Sequence, residues 1–291
     1  MSVFKFKMMK DEKKCKKTIA VVLPIAFVCI AFIIVLSIII IPKSRKYNAA
    51  VALMNEGNIA DAYENLIALN GYKDSEIKAS EIFNQYINTA QAGDTVYFGA
   101  YEQDNNTFDG KENVEWILLA KEDGKALVIS KYALDCQRYN SSVADVTWEN
   151  CSLRTWLNGT FLNSAFSSDE QARIAASSVS EDKNPEYSTN PGNAAKDKVF
   201  LLSITEAEKY FSTDESRKCA PTAYAKAHGA YTGDSNNTEA DTESTWWWVR
   251  TPGIYQNYAA YINLDGSVNY DGYTVYAESD AVRPALWIGL S

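Results

Sequence analysis

Residues Thr18 to Ile41 form a run of 24 residues without one Asp, Glu, Lys or Arg. As a helix the run reaches roughly 36 Å, enough to cross a hydrocarbon core of about 30 Å with some tilt. Pro24 falls in its first turns, where a missing N–H disturbs least. Lys5, Lys7, Lys10, Lys13, Lys14, Lys16 and Lys17 precede the run, and only Lys43, Arg45 and Lys46 follow it closely. The positive-inside bias places the N-terminus in the cytoplasm and everything after Pro42 outside. A cleaved signal peptide is the competing reading. The apolar core is too long for one, and no small-x-small site stands at its edge. The expectation is a cytoplasmic basic tail over 1–17, an uncleaved transmembrane signal anchor over 18–41, and a single-pass protein of the cell membrane with its C-terminal domain extracellular.

Charge divides along the same line. The chain carries a net charge of -9, yet residues 1–46 hold 10 of the 28 Lys and Arg and only 2 of the 37 Asp and Glu. That leaves 18 basic against 35 acidic residues beyond them, a balance of -17. Phosphate neutralisation needs a basic face, so nucleic acid is excluded as a partner of this acidic portion.

Residues 44–92 have helical periodicity. Ala50, Leu53 and Met54 mark one apolar face that ends at Gly57. Asn58 is placed to cap a second helix with Ile59, Ala62, Tyr63, Leu66 and Ile67, and Asp74 a third with Ile77, Ile82, Phe83, Tyr86 and Ile87. The phrase A-L-M-N-E-G-N-I-A-D-A-Y-E-N-L-I-A-L resembles a tetratricopeptide helix pair. A groove-forming solenoid needs tandem units and one is found, so the reading is an all-α helical stalk.

Gly93-Asp94 opens a regime of period two. Val96–Tyr101, Glu115–Leu119 and Ala126–Tyr132 read as strands, the last two joined through Asp123-Gly124. The loop 104–110 looks like a calcium loop until it is aligned on Gly110, which puts Trp116 rather than Glu at the twelfth position; no metal site is assigned. Leu153, Trp156, Leu157 and Phe161 predict an amphipathic helix. Ser167-x-x-Glu170 and Ser203-x-x-Glu206 read as capping boxes. Residues 180–197 predict a long loop, and Ser244–Ile288 three strands rich in Trp and Tyr, separated by Pro-Gly and Asp-Gly punctuation. Strands at both ends with helices between them indicate an α+β fold.

Six motifs in this region carry a resemblance: Y-F-G-A-Y-E-Q-D at 97–104, E-W-I-L-L at 115–119, I-S-K-Y-A-L-D-C at 129–136, T-W-E-N-C-S-L-R-T-W-L-N at 147–158, W-W-V-R-T-P-G at 247–253 and A-V-R-P-A-L-W-I at 281–288. Together they resemble a bacterial family known as domain of unknown function 6273, over essentially all of 93–291. Val249, Thr251 and Ala281 are mild departures from its usual pattern. The ending also resembles, more distantly, the C-type-lectin-like fold of formylglycine-generating enzymes, which implies a mixed sheet with docked helices. The family has no assigned catalytic residues, so none is carried over, and the copper-holding cysteine pair of formylglycine-generating enzymes has no counterpart here.

Chemistry-bearing residues are sparse. With Cys15 in the tail and Cys29 in the anchor, Cys136, Cys151 and Cys219 stand beyond the membrane, an odd number with no C-x-x-C, read as buried thiols. His228, the only histidine, sits where a helix ends and reads as a C-terminal cap. Arg250 and Arg283 read as donors to backbone carbonyls. No catalytic residue, metal or cofactor is assigned. The aromatics remain. In a strand Trp246 and Trp248 share one face, with Trp247 and Val249 on the other. Trp246, Trp248, Tyr255 and Tyr258 are the candidate ligand-binding residues, a rim for an extracellular glycan or protein. An enzyme of unknown reaction on the same head, or a structural envelope protein, are the alternatives.

Overall fold

The computed structural model describes residues 40–180, 182–233 and 243–290. The tail 1–17, nearly all of the anchor 18–41 and most of the acidic loop 232–245 lie outside them. Among the described residues no helix is long and apolar enough to cross a membrane. Two compact units, Met1–Phe83 and Asn84–Ser291, divide within a helix.

The first unit contains α1 (Ile41–Glu56), α2 (Ile59–Ile67) and the start of α3 (Ser75–Thr89). Gly57 ends α1 with φ of 81°, a left-handed conformation that glycine adopts without a Cβ clash. Asn58 does not cap α2 through its side chain, which bonds the Asp61 carboxylate at 2.7 Å instead. Ala62, Leu66 and Tyr63 turn inward, and the Tyr63 ring lies 5.7 Å from that of Phe83. Tyr47 donates its hydroxyl to Asp74, whose carboxylate also pairs with Lys78 at 3.5 Å.

The second unit is a mixed α+β domain. Its first sheet is built from β1 (Thr95–Tyr101), β2 (Glu112–Glu122), β3 (Lys125–Ser130), β5 (Ile174–Ala175), β8 (Val199–Phe200) and β13 (Ala285–Gly289). The order is β1-β2-β3-β13-β5, with β8 also on β13. Asp123 and Gly124, both at positive φ, make the tight β2–β3 turn. The C-terminal strand pairs antiparallel with β3, Trp287 opposite Leu127, so both ends of the unit meet in one sheet.

The second sheet runs β11-β10-β9-β12-β4, from β4 (Asp135–Cys136), β9 (Trp247–Pro252), β10 (Tyr258–Ile262), β11 (Val268–Thr274) and β12 (Ala281–Val282). A third, two-stranded ribbon joins β6 (Ser177–Val179) to β7 (Ala195–Asp197), so the stretch 180–197 expected as loop ends in a strand. Two expectations are corrected. The region expected to hold three strands holds five, β9 to β13, and Tyr270 and Tyr273 lie in β11, which was not among those expected. The amphipathic helix is broken into α4 (Ser152–Trp156), a π-helical turn Leu157–Phe161 and α5 (Leu162–Ala165). The side chain of Asn158 in that turn bonds the backbone at Lys198 and Val199, at 2.9 and 2.8 Å, and this fastens the widened turn to β8.

The capping boxes form as read: Ser167 with Glu170 opens α6 (Ser168–Arg173), and Ser203 with Glu206 opens α7 (Ile204–Tyr210). Between α7 and β9 lie α8 (Asp214–Arg217) and α9 (Ala223–Ala227). At the β10–β11 turn, Gly266 has φ of 84° and a Cβ there would stand 1.8 Å from the Asp214 carbonyl oxygen. Only glycine fits.

Every residue of β9 is buried. Its Arg250 side chain donates to Leu201 O at 2.9 Å, to Ser180 O at 3.3 Å, to Asp182 at 2.9 Å and to Glu206. Removing a buried ion-paired guanidinium strands its carboxylates and carbonyls. Arg250→Met is expected to lower unfolding stability by about 3 kcal/mol, read from urea denaturation of the purified protein. An unchanged midpoint would show that this network is dispensable.

Candidate functional site

Three consecutive tryptophans enter β9 and meet three different environments. Trp247 is buried on one face: its indole donates to Arg217 O at 3.1 Å, and the Arg283 guanidinium lies 5.0 Å from its ring. Trp248 points to the other side, as strand alternation requires. There Tyr139 covers it at 5.7 Å and its indole donates to Gln137 O at 3.0 Å. Trp248 is therefore fully buried and is withdrawn from the candidate rim. Trp246 precedes the strand and is half-buried. Its indole N–H makes no hydrogen bond among the described residues.

Trp246 is held by rings. Tyr231 lies 4.5 Å away at an interplanar angle of 31°, and Tyr261 lies 5.7 Å away. Tyr231 is 37% exposed, while Tyr261 is nearly covered and accepts a hydrogen bond from Asn269 at 3.0 Å. Tyr273, half exposed on β11, stands opposite Ala259 of β10. A row of aromatic faces thus crosses one end of the second sheet. The pattern of the sequence located Trp246; Tyr261 and Tyr273 come near it through the pairing of β9, β10 and β11, and Tyr231 through the Thr232–Thr245 bridge.

Asp280 lies on the segment that ties this row together. Tyr231 N–H donates to Ser279 O and Ala281 N–H to Trp246 O, both at 2.9 Å. The Asp280 side chain is fully buried, and its Oδ1 has no hydrogen-bond partner among the described residues. Its other oxygen lies at the long distance of 3.5 Å from Ser279 Oγ. Burial pushes the carboxyl up to about 7. Burial, then the nearby Asp280 charge, pushes Tyr261 up to about 12. A buried carboxyl with one oxygen unpartnered is uncommon, and nothing in the local sequence signalled this one.

Tyr255 and Tyr258 form a second, T-shaped pair with ring centroids 5.3 Å apart. Tyr255 is 60% exposed and Tyr258 half-buried. No ring contact among the described residues joins them to Trp246. They adjoin the loop Lys183–Pro191, which encloses a cleft of about 490 Å³ and is pinned by Thr189 Oγ1 donating to Gly253 O at 2.7 Å.

The remaining chemistry-bearing groups are tied into the structure. Cys136, Cys151 and Cys219 are free, buried thiols. Burial pushes Cys136 and Cys151 up to about 12 and raises Cys219. These are poor nucleophiles. His228 follows α9, its ring 4.0 Å from that of Tyr224 and its Nδ1 2.8 Å from Tyr224 O. Glu102, Asp104 and Glu112 bring carboxylate oxygens within 4.8 Å of one another, a geometry that could hold a cation. Each already accepts backbone N–H groups of the loop: Glu102 and Asp104 from Asn106 at 2.8 Å, Glu112 from Gln103 at 2.6 Å.

The tryptophans separate by stability. Trp248→Ala is expected to cost about 3–5 kcal/mol through the cavity it leaves, whereas Trp246→Ala should stay within about 1 kcal/mol, as for a partly exposed ring without a hydrogen bond. Chemical denaturation of both variants checks this, and equal losses would place Trp246 in the core.

Neither a curated protein nor a solved structure matches the chain. A family pattern does match, over residues 123–290, more than half of the chain, and includes β3, all of β9 to β13 and Asp280. The chain belongs to the family described as a domain of unknown function (DUF6273).

Proposed function

We propose that this is a single-pass membrane protein whose C-terminal domain recognises an extracellular glycan or protein ligand, without catalysis, on the aromatic row around Trp246. The observation that carries the reading is the partly exposed Tyr231–Trp246 stack, seated on a sheet whose central strand is buried along its length. Rigid, preformed aromatic faces bind sugar rings and peptide side chains at little conformational cost. The finer fold is a C-type-lectin-like mixed sheet. Its support is the pairing of β13 with β3, which brings the two ends of the unit together, and the helices between them. The stalk spaces this domain from the membrane.

Glycan is the first ligand class to test, because Trp and Tyr faces suit pyranose rings. On a glycan and cell-wall array, the purified full chain is expected to bind, Trp246→Ala to lose at least ten-fold in affinity, and the melting temperature of the variant to stay within about 2 °C of the parent. Binding retained by Trp246→Ala but lost by Tyr255→Ala would move the site to the second pair. No binding by the parent to any glycan would leave the protein-ligand arm.

Topology has its own test. Protease added to intact protoplasts should remove the C-terminal domain, since the lysine asymmetry around Thr18–Ile41 places it outside. Full protection would reverse the orientation.

A further inference from the structure

We propose that the aromatic row is proton-gated: with Asp280 protonated the Tyr231–Trp246 stack is closed, and ionisation of Asp280 loosens the segment beneath it and exposes the rings. The inference rests on the reading of this face as the binding surface, and adds its regulation.

Geometry carries the argument. The Asp280 carboxyl is fully enclosed with one oxygen unpartnered. Among the described residues, the groups on the elements packed around it supply no free positive charge. On β4, Asp135 is bonded to Tyr101 OH at 2.5 Å, to Cys136 N–H at 2.7 Å and to Gln137 at 3.2 Å, and the Cys136 thiol stays protonated. On β10, Tyr261 stays neutral in the same range. From β11, Asp271 and Tyr273 bear on Tyr261 and offer no cation. Beside Asp280 in the chain, Glu278 is paired with Arg138, whose guanidinium also lies 3.7 Å from the Tyr276 ring. On the 223–231 segment, His228 is stacked on Tyr224 and exposed. An ionised Asp280 would be a buried charge without a counterion, and the chain relieves such a charge by opening.

The part that can open is short. β12 is two residues long, and the backbone of residues 279–281 is tied to the two rings by the Ser279–Tyr231 and Ala281–Trp246 hydrogen bonds. Displacing this segment moves the backbones that carry both rings. Trp246 is free to follow because its indole is not anchored, unlike those of Trp247 and Trp248.

The sign follows from linkage. The folded carboxyl is raised from 3.8 to about 7. Its contribution to the closed form is therefore complete below the ordinary value near 3.8 and is lost as pH rises through about 7. The chain's one histidine, His228, is separated from Asp280 by its own variant.

The test needs no ligand. Fluorescence of Trp246, taken as the difference between the full chain in detergent and its Trp246→Phe variant, is followed from pH 5 to pH 9 with iodide as quencher. Quenching of Trp246 is expected to rise at least two-fold with a midpoint near pH 7; Asp280→Asn should hold the low-pH signal throughout, and His228→Gln should leave the transition in place. A flat profile, a transition that survives Asp280→Asn, or one abolished by His228→Gln overturns the proposal. If Asp280→Asn does not fold, carbon-13 NMR of labelled aspartate in the parent replaces it: no carboxyl titrating above pH 6 overturns the proposal, and one that does, in step with the quenching, upholds it. Failure here leaves the array result intact, and failure on the array leaves this titration readable.

Discussion

A guanidinium enclosed by protein must find acceptors for its donors, and Arg250 finds them on three separate stretches of chain. From the middle of β9 it reaches Ser180 and Asp182, the Leu201 carbonyl and Glu206. Glu206 in turn accepts the Ser203 N–H at 3.0 Å as the second half of a capping box. One charge thereby fastens the central strand, the start of α7 and the entrance to the long loop. Arg283 repeats the device beyond β12. It donates to Ser130 O at 3.0 Å and Arg217 O at 3.3 Å while its guanidinium lies about 5 Å from the Phe211 and Trp247 rings. Both arginines are buried among these partners, and leaving either unpaired would cost several kcal/mol.

The placement of the candidate site is a consequence. With β9 covered on both faces, aromatic surface becomes available only where the cover stops. Trp246 lies just before the strand and Tyr255 just after it, and both are partly or largely exposed while the rings within β9 are buried. The same crowding leaves Asp280 enclosed, because its segment runs between β4 and the approach to β9. A domain with such a packed centre offers ligands its strand ends and loops rather than its sheet face.

Much of the fold was legible in short-range chemistry. Asp123-Gly124 and Asp265-Gly266 marked turns because few other residues accept positive φ. Ser167-x-x-Glu170 and Ser203-x-x-Glu206 marked helix starts because the reciprocal hydrogen bonds close within four residues. The alternation of Trp246, Trp247 and Trp248 correctly put neighbours on opposite faces. The thiols were read as buried and Arg250 and Arg283 as structural donors, and the geometry agrees. β11 was missed because V-N-Y-D-G-Y-T has polar residues and a glycine where a strand pattern should alternate. Its pairing with β10 is irregular between Ala259 and Tyr261. The π-helical turn was missed because its cause, Asn158 bonding the backbone near Val199, lies about 40 residues away in the chain.

By itself, then, the sequence determined the Asp-Gly turns, the two capping boxes, the alternation of faces, the family and the division between a basic, apolar N-terminal end and an acidic remainder. Those are properties of residues close together in the chain, set by backbone conformation, hydrogen-bond reach and charge. Only the tertiary structure decided that Tyr139 covers Trp248, that Tyr231 rather than Tyr255 stacks on Trp246, and that Asp280 is buried with its Oδ1 unpartnered among the described residues. Which side chain is covered, and by what, depends on contacts between residues far apart in the chain. Strand periodicity says which way a ring points but not what stands opposite it.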